Sequence, residues 1–409
     1  MRILAWFIGA IVVILTAFMM LTAGWERPPI DAEQTGFRGT GMVDVSNPRT
    51  SQRRLEEQLN QVPTSSPAPP DTGGPTAADI YQNVPLLGHL SVAEFNHVMQ
   101  AITEWVSPEQ GCGYCHQLDN LASDAVYTKV VSRRMIEMTQ TINESWDAHV
   151  GETGVTCYTC HRGENVPVYA WFNADPEIYT GSGILGWRAG QNRASPMVGL
   201  TSLPEDPFSD LLEAGEQIRV TGRSVLPPRG VIGSSIQDTE KTFALMIHMS
   251  SALDVNCTYC HNTRDFGSWD HSPVQRLISW HGIQMTQVLN TEYVSPLSTV
   301  LPPERVGPTG EGHKINCETC HQGIHKPLGG LSMTENYPSL LRSVNGSNGA
   351  SAMLTEDDVA AYVSDEVSND LADELAGEEA GDLADAEDDE DPSGDAEEDE
   401  EDSEDETVI

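Results

Sequence analysis

The sequence predicts a mainly α-helical chain with much irregular structure, built as two copies of one unit behind a single N-terminal transmembrane helix. Three observations predict it. All eight cysteines of the 409-residue chain fall into four Cys-x-x-Cys-His motifs. One stretch recurs between the first and second motifs and again between the third and fourth. Between Arg2 and Glu26 there is no charge.

The elements follow in chain order. Ile3–Leu21 is apolar apart from Gly9 and Thr16, and nineteen helical residues span about 28 Å, close to a bilayer's hydrocarbon core. A cleaved signal peptide would have a shorter apolar region, and Thr22-Ala23-Gly24 is a poor cleavage site, so residues 1–24 read as a retained anchor. Residues 25–85, rich in Pro, Gly, Ser and Thr at the start, read as an extended arm. Residues 86–175 and 236–330 read as the two repeated units, joined by a Pro- and Gly-rich linker at 176–235. Residues 331–409 read as a disordered acidic tail. From Glu356 onward it holds 27 acids and no Lys or Arg, against a net charge of −13 for the 355 residues before it. Helical periodicity places Phe95, Val98, Met99 and Ile102 on one face, then Val130, Arg134 and Met138, and later Phe243, Met246 and Ile247.

The motifs carry the chemistry. They are Cys112-Gly-Tyr-Cys115-His116, Cys157-Tyr-Thr-Cys160-His161, Cys257-Thr-Tyr-Cys260-His261 and Cys317-Glu-Thr-Cys320-His321. Two thiols on one turn can form thioethers to one porphyrin, and the adjacent His supplies the proximal iron ligand. A zinc ribbon would not demand a His after each pair, redox dithiols seldom come in fours, and no cysteine is left over. The predicted fold class is therefore a multihaem c-type cytochrome of two pseudo-repeated dihaem units, with four covalent haems in place of a large side-chain core. An acidic body excludes nucleic acid, whose phosphates need clustered cations, and suits a basic protein partner.

A sixth iron ligand is expected from Met or a second His. Met99 precedes Cys112 by 13 residues, Met246 precedes Cys257 by 11, and Met135 precedes Cys157 by 22. Met138 rivals Met135, and Met249 rivals Met246. Aligning Met285-Thr-Gln on Met138-Thr-Gln puts Gly282 where Met135 stands, so the fourth iron needs a ligand from elsewhere. His149, which has no evident local role, is the leading candidate, and Met285 is a second.

Further segments carry a resemblance: Gln34-Thr-Gly-Phe-Arg-Gly39, Ala101-Ile-Thr-Glu-Trp-Val-Ser-Pro108, Gly154-Val-Thr-Cys-Tyr-Thr-Cys-His-Arg-Gly163 and Asn256-Cys-Thr-Tyr-Cys-His-Asn262. From about Trp25 to Leu328 the chain resembles the tetrahaem cytochrome subunit of purple-bacterial photosynthetic reaction centres. The resemblance implies three Met/His haems, through Met99, Met135 and Met246, and one His/His haem, with His149 reaching the iron of His321. It implies an electron carrier rather than an enzyme, taking electrons from a soluble periplasmic cytochrome c or similar donor and passing them to the photo-oxidised bacteriochlorophyll pair. It also implies reaction-centre core subunits and the surrounding light-harvesting complex as partners, in a photosynthetic inner membrane with the haem domain periplasmic. Many members carry a lipidated N-terminal Cys; here Trp25 precedes Glu26-Arg-Pro-Pro29, leaving the helix to anchor the protein. The rival is a membrane-anchored tetrahaem quinol dehydrogenase, which lacks the arm and the Met-Thr-Gln repeat.

Overall fold

The computed structural model describes residues 2–22, 31–33, 44–46, 60–63, 68–173, 195–218, 220 and 235–341. The expected tail beyond 341 and most of the expected arm lie outside them. Helix α1 (Arg2–Thr22) is 21 residues long, and its described side chains are all exposed. Among the described residues no helix is long and apolar enough to cross a membrane. Strands β1 (Asp31–Glu33) and β2 (Asp44–Ser46) pair antiparallel, with Asp31 opposite Ser46.

The rest is helical and irregular. Helix α2 is Ala77–Ile80, and α3 is Val92–Val106. Ser91 starts α3 by accepting from the Glu94 N–H, while the Glu94 carboxylate accepts from the Ser91 N–H, so two otherwise orphaned donors are satisfied reciprocally. Val98, Ala101 and Trp105 form its buried face. Helices α4 (Tyr127–Ser145) and α5 (Asp147–Val150) lead to α6 (Cys157–His161). Helix α7 (Ile236–Leu253) starts with the same reciprocal device, between Ser235 and Asp238. Its buried face is Ala244, Leu245 and His248; Phe243, expected inward, is exposed. Helix α8 (Gln275–Val288) runs into a wider turn at Leu289–Val294, and α9 is Cys317–His321. The first and third motifs lie on tight 3-10 turns, Gly111–Tyr114 and Cys257–Tyr259.

Equivalent contacts recur along the chain. The Gly163 N–H donates to the Trp105 carbonyl at the end of α3 (2.8 Å), and the Gly323 N–H donates to the Ala252 carbonyl at the end of α7 (2.9 Å). Asn143 staples Val155 by donating to its carbonyl (2.9 Å) and accepting from its N–H (2.7 Å). Asn290 does the same to Ile315, at 2.8 Å each way. Cys115 lies 3.2 Å from the Ser132 hydroxyl, and Cys260 lies 3.5 Å from that of Ser279.

Three expected boundaries move. Residues 331–341 are not tail: Met333, Tyr337 and Leu340 are buried with Leu87, Val98 and Trp105. Tyr337 stacks on His97 at 4.6 Å and meets Trp105 edge-on, so the apolar side chains of this segment close the α3 cluster. The linker range 176–235 contains packed core as well, because Phe208, Leu211 and Leu212 are buried against Trp171, Leu245 and Ile283. The arm range contributes too: Asn60 donates to the Gln322 carbonyl, Tyr158 donates to the Gln61 carbonyl, and Ala77 is fully buried. Each shift has one cause, since apolar side chains bury wherever a neighbour offers a face, whatever the surrounding Pro and Gly content.

Candidate functional site

The two α-helical motifs end in the same way. After His161 and His321 the chain turns through Arg162 and Gln322 in the left-handed region (φ 54° and 49°), then through Gly163 and Gly323 (φ 92° and 79°). That turn lets the glycine N–H reach back to α3 or α7 and explains why each motif reads Cys-x-x-Cys-His-x-Gly. Helices α6 and α9 abut, with Cys160 and Cys320 sulfurs 2.6 Å apart and Gln322 donating to the Cys160 carbonyl.

All four motif histidines are oriented alike. Nδ1 lies 3.1 Å from the Leu121 carbonyl in His116, 2.9 Å from Glu164 in His161, 3.2 Å from Phe266 in His261 and 3.0 Å from Ile324 in His321. A carbonyl only accepts, so Nδ1 carries the proton and Nε2 is left with its lone pair, the arrangement that outer partners impose on metal-ligating imidazoles. Burial also pushes the pKa values of His161, His261 and His321 down, the last to about 4, which keeps the rings neutral and able to bind iron. Among the described residues no three His, Cys, Asp or Glu side chains converge on one point.

His149 and His321 face one another. Their ring centroids are 6.0 Å apart with planes at 67°. About 6 Å is what two imidazoles need to share one iron, with a metal–nitrogen bond of about 2 Å on each side. His149 Nδ1 sits 2.9 Å from the Ile278 carbonyl on α8, which again leaves Nε2 to bind. Burial lowers its pKa as well. Its ring occupies the space above Gly282, where an added Cβ would come within 2.5 Å of the His149 Cε1. The Thr139 hydroxyl donates to the Met135 carbonyl, and the Thr286 hydroxyl to that of Gly282, so the two positions are equivalent.

For the second motif, one cavity of about 170 Å³ is lined by Met135, Met138, Cys157, Cys160 and His161. Met138 also packs in a cluster with its counterpart Met285, and both are buried; Met135 is half-buried at the cluster's edge. Met99 is half-buried on α3, the helix that packs against the turn holding Cys112. Met246 and Met249 are both half-buried on α7, so packing does not separate them. Sequence reasoning missed the basic part of the cavity wall, Arg305, His313 and Lys314. Nothing in their spacing from the motifs signals it.

The family model for the photosynthetic reaction centre cytochrome C subunit matches residues 26–341. A photosynthetic reaction center cytochrome c subunit of Rubrivivax gelatinosus is 52% identical over 333 residues, covering 81% of this chain and 89% of the relative. That of Thermochromatium tepidum is 47% identical over 331 residues, covering 81% and 80%. That of Roseobacter denitrificans is 43% identical over 321 residues, covering 75% and 84%.

Proposed function

Because the chain belongs to the photosynthetic reaction centre cytochrome c subunit family, we propose that it accepts electrons from a soluble periplasmic cytochrome c and passes them through four covalent haems to the photo-oxidised bacteriochlorophyll pair. Electron transfer to the reaction centre, through c-type haem at a photosynthetic membrane, is the function of the family. The finer reading is that Cys112/Cys115, Cys157/Cys160, Cys257/Cys260 and Cys317/Cys320 attach one haem each, in two dihaem units at 86–175 and 236–330. His116 with Met99, His161 with Met135, His261 with Met246, and His321 with His149 would hold the irons. The observation that carries it is the His149–His321 pair, 6.0 Å apart with both Nδ1 positions engaged elsewhere. Two protein ligands at every iron leave no position for substrate, which favours a carrier over an enzyme.

When bound, each haem supplies a one-electron ferric/ferrous couple. Thioether ligands favour the ferrous form, so the three Met-ligated centres would lie above the bis-His one in potential. The uncharged, apolar run Ile3–Leu21 of the sequence would serve as a single-pass anchor, with the haem domain periplasmic. The core subunits, and around them the light-harvesting complex, would be the membrane partners. Exposed Glu104, Glu109 and Asp119 beside the first motif would steer a basic donor.

Flash excitation of native membranes, followed at the haem α-band and at the bacteriochlorophyll bleach, tests the reading. Haem oxidation in step with recovery of the bleach is expected. Haems that stay reduced after the flash, while quinol reduces them in the dark, would instead make the protein a quinol dehydrogenase.

A further inference from the structure

The cavity beside α6 is built from both halves of the chain. Met135, Cys157, Cys160 and His161 come from the first half; Arg305, His313 and Lys314 come from the loop before α9. Among the described residues its wall therefore holds several basic residues and no Asp or Glu, in a body whose net charge through residue 355 is −13. Lys314 is already neutralised, since it donates to the Glu213 carboxylate and to Asn173 (2.7 Å). Arg305 has no such partner among the described residues: its guanidinium makes no hydrogen bond or ion pair with any of them. The His313 ring packs on Phe172, with centroids 4.1 Å apart, and its buried Nδ1 has no partner. Arg305 is close enough that its charge adds to burial in lowering the His313 pKa.

A buried polar nitrogen without a partner is costly, and a guanidinium is a fork of donors shaped for carboxylate. A haem brings two propionates into an otherwise apolar cavity, and they require such partners.

We propose that Arg305 and His313 bind the propionates of the haem attached at Cys157 and Cys160, so that the second half of the chain sets the potential of a centre held covalently by the first. The inference rests on the haem reading above. The sign follows from electrostatics: propionate charge left uncompensated stabilises ferric iron, so loss of the cation lowers the potential.

Equilibrium redox titration of the purified full-length protein, read at the α-band, is the test. The wave of the second haem is identified in a Cys157→Ala background, where the unsaturated vinyl group displaces that haem's band to the red, or by Met135→His, which lowers its potential. Arg305→Gln is expected to shift that wave down by a tenfold change in the ferrous/ferric ratio, about 59 mV for one electron. Arg305→Lys keeps the charge and should shift it less, and His313→Phe should lower it by a smaller step. An unmoved second-haem wave in Arg305→Gln, or a shift confined to another wave, overturns the proposal. Covalent haem content, measured on the same samples, tests the underlying reading separately: a protein without covalent haem refutes that reading whatever Arg305 does.

Discussion

Gly282 shows how much one side chain decides. Read from the sequence, it is a position that cannot ligate iron; in the fold it is the floor on which the His149 ring rests. A methyl group there would lie 2.5 Å from the ring, inside any allowed contact. Gly282→Ala should therefore push His149 away from His321 and open one iron. The reduced variant is expected to bind carbon monoxide at a single haem with covalent haem content unchanged, and His149→Ala should do the same; neither binding it would remove His149 from the ligand set. The Met135–Met138 choice is also a matter of one side chain. Met138 is packed against its counterpart cluster, so Met138→Leu is nearly volume-conserving, costs less than about 1.5 kcal/mol and leaves the haem spectra unchanged. Met135→Leu should abolish a Met-ligated spectrum and admit carbon monoxide. The sequence carried both methionines and the glycine, but a one-dimensional pattern contains no information about the empty space above a Cα.

Among elements, the staples matter most, because they fix the segments that enter the motif helices α6 and α9 to the ends of α4 and α8. Asn290 ties the start of α9 to α8 through both polar groups of Ile315 and also donates to the buried Leu212 carbonyl (3.0 Å). Asn290→Ala would take this partner from the Leu212 carbonyl and the Ile315 N–H, each loss costing about 1–3 kcal/mol, while the Ile315 carbonyl keeps its bond from Trp171 Nε1 (3.4 Å). Thermal unfolding of the holoprotein should drop by well over 5 °C, whereas exposed Asn96→Ala should leave it nearly unchanged; equal midpoints would show that packing alone holds α9. Helices α3, α4 and α7 were legible as runs of period 3.6, and the motif turns were legible from their cysteines. The packed parts of 176–235 and 331–341 were not, because short irregular segments have no period to read. Their signal was compositional and local: Pro207-Phe208 followed by Leu211-Leu212, and Tyr337 followed by Leu340-Leu341, apolar groups too dense for solvent.

Over the whole molecule, charge governs how a donor arrives, and the acids are divided unevenly. The tail from Glu356 onward holds 27 of the 62, while the matched family region ends at residue 341. If steering comes from the acids beside the first motif, donor oxidation must fall steeply with ionic strength in the intact protein, because a Debye length of about 8 Å near 0.15 M screens all but near charges. The same screening separates the two sources. Deleting residues 356–409 takes the formal charge from −40 to −13 and should lower the rate at low salt, where attraction to the net charge is least screened. Near 0.15 M the truncated and intact proteins should react alike, with equal haem content. Reversing Glu104, Glu109 and Asp119 together should instead slow the reaction several-fold at both ionic strengths if the donor docks beside them on the first motif. Stopped-flow oxidation of the donor across a salt series distinguishes the patterns. A flat salt dependence in the intact protein eliminates steering altogether. A loss of rate near 0.15 M on truncation alone assigns the docking role to the tail.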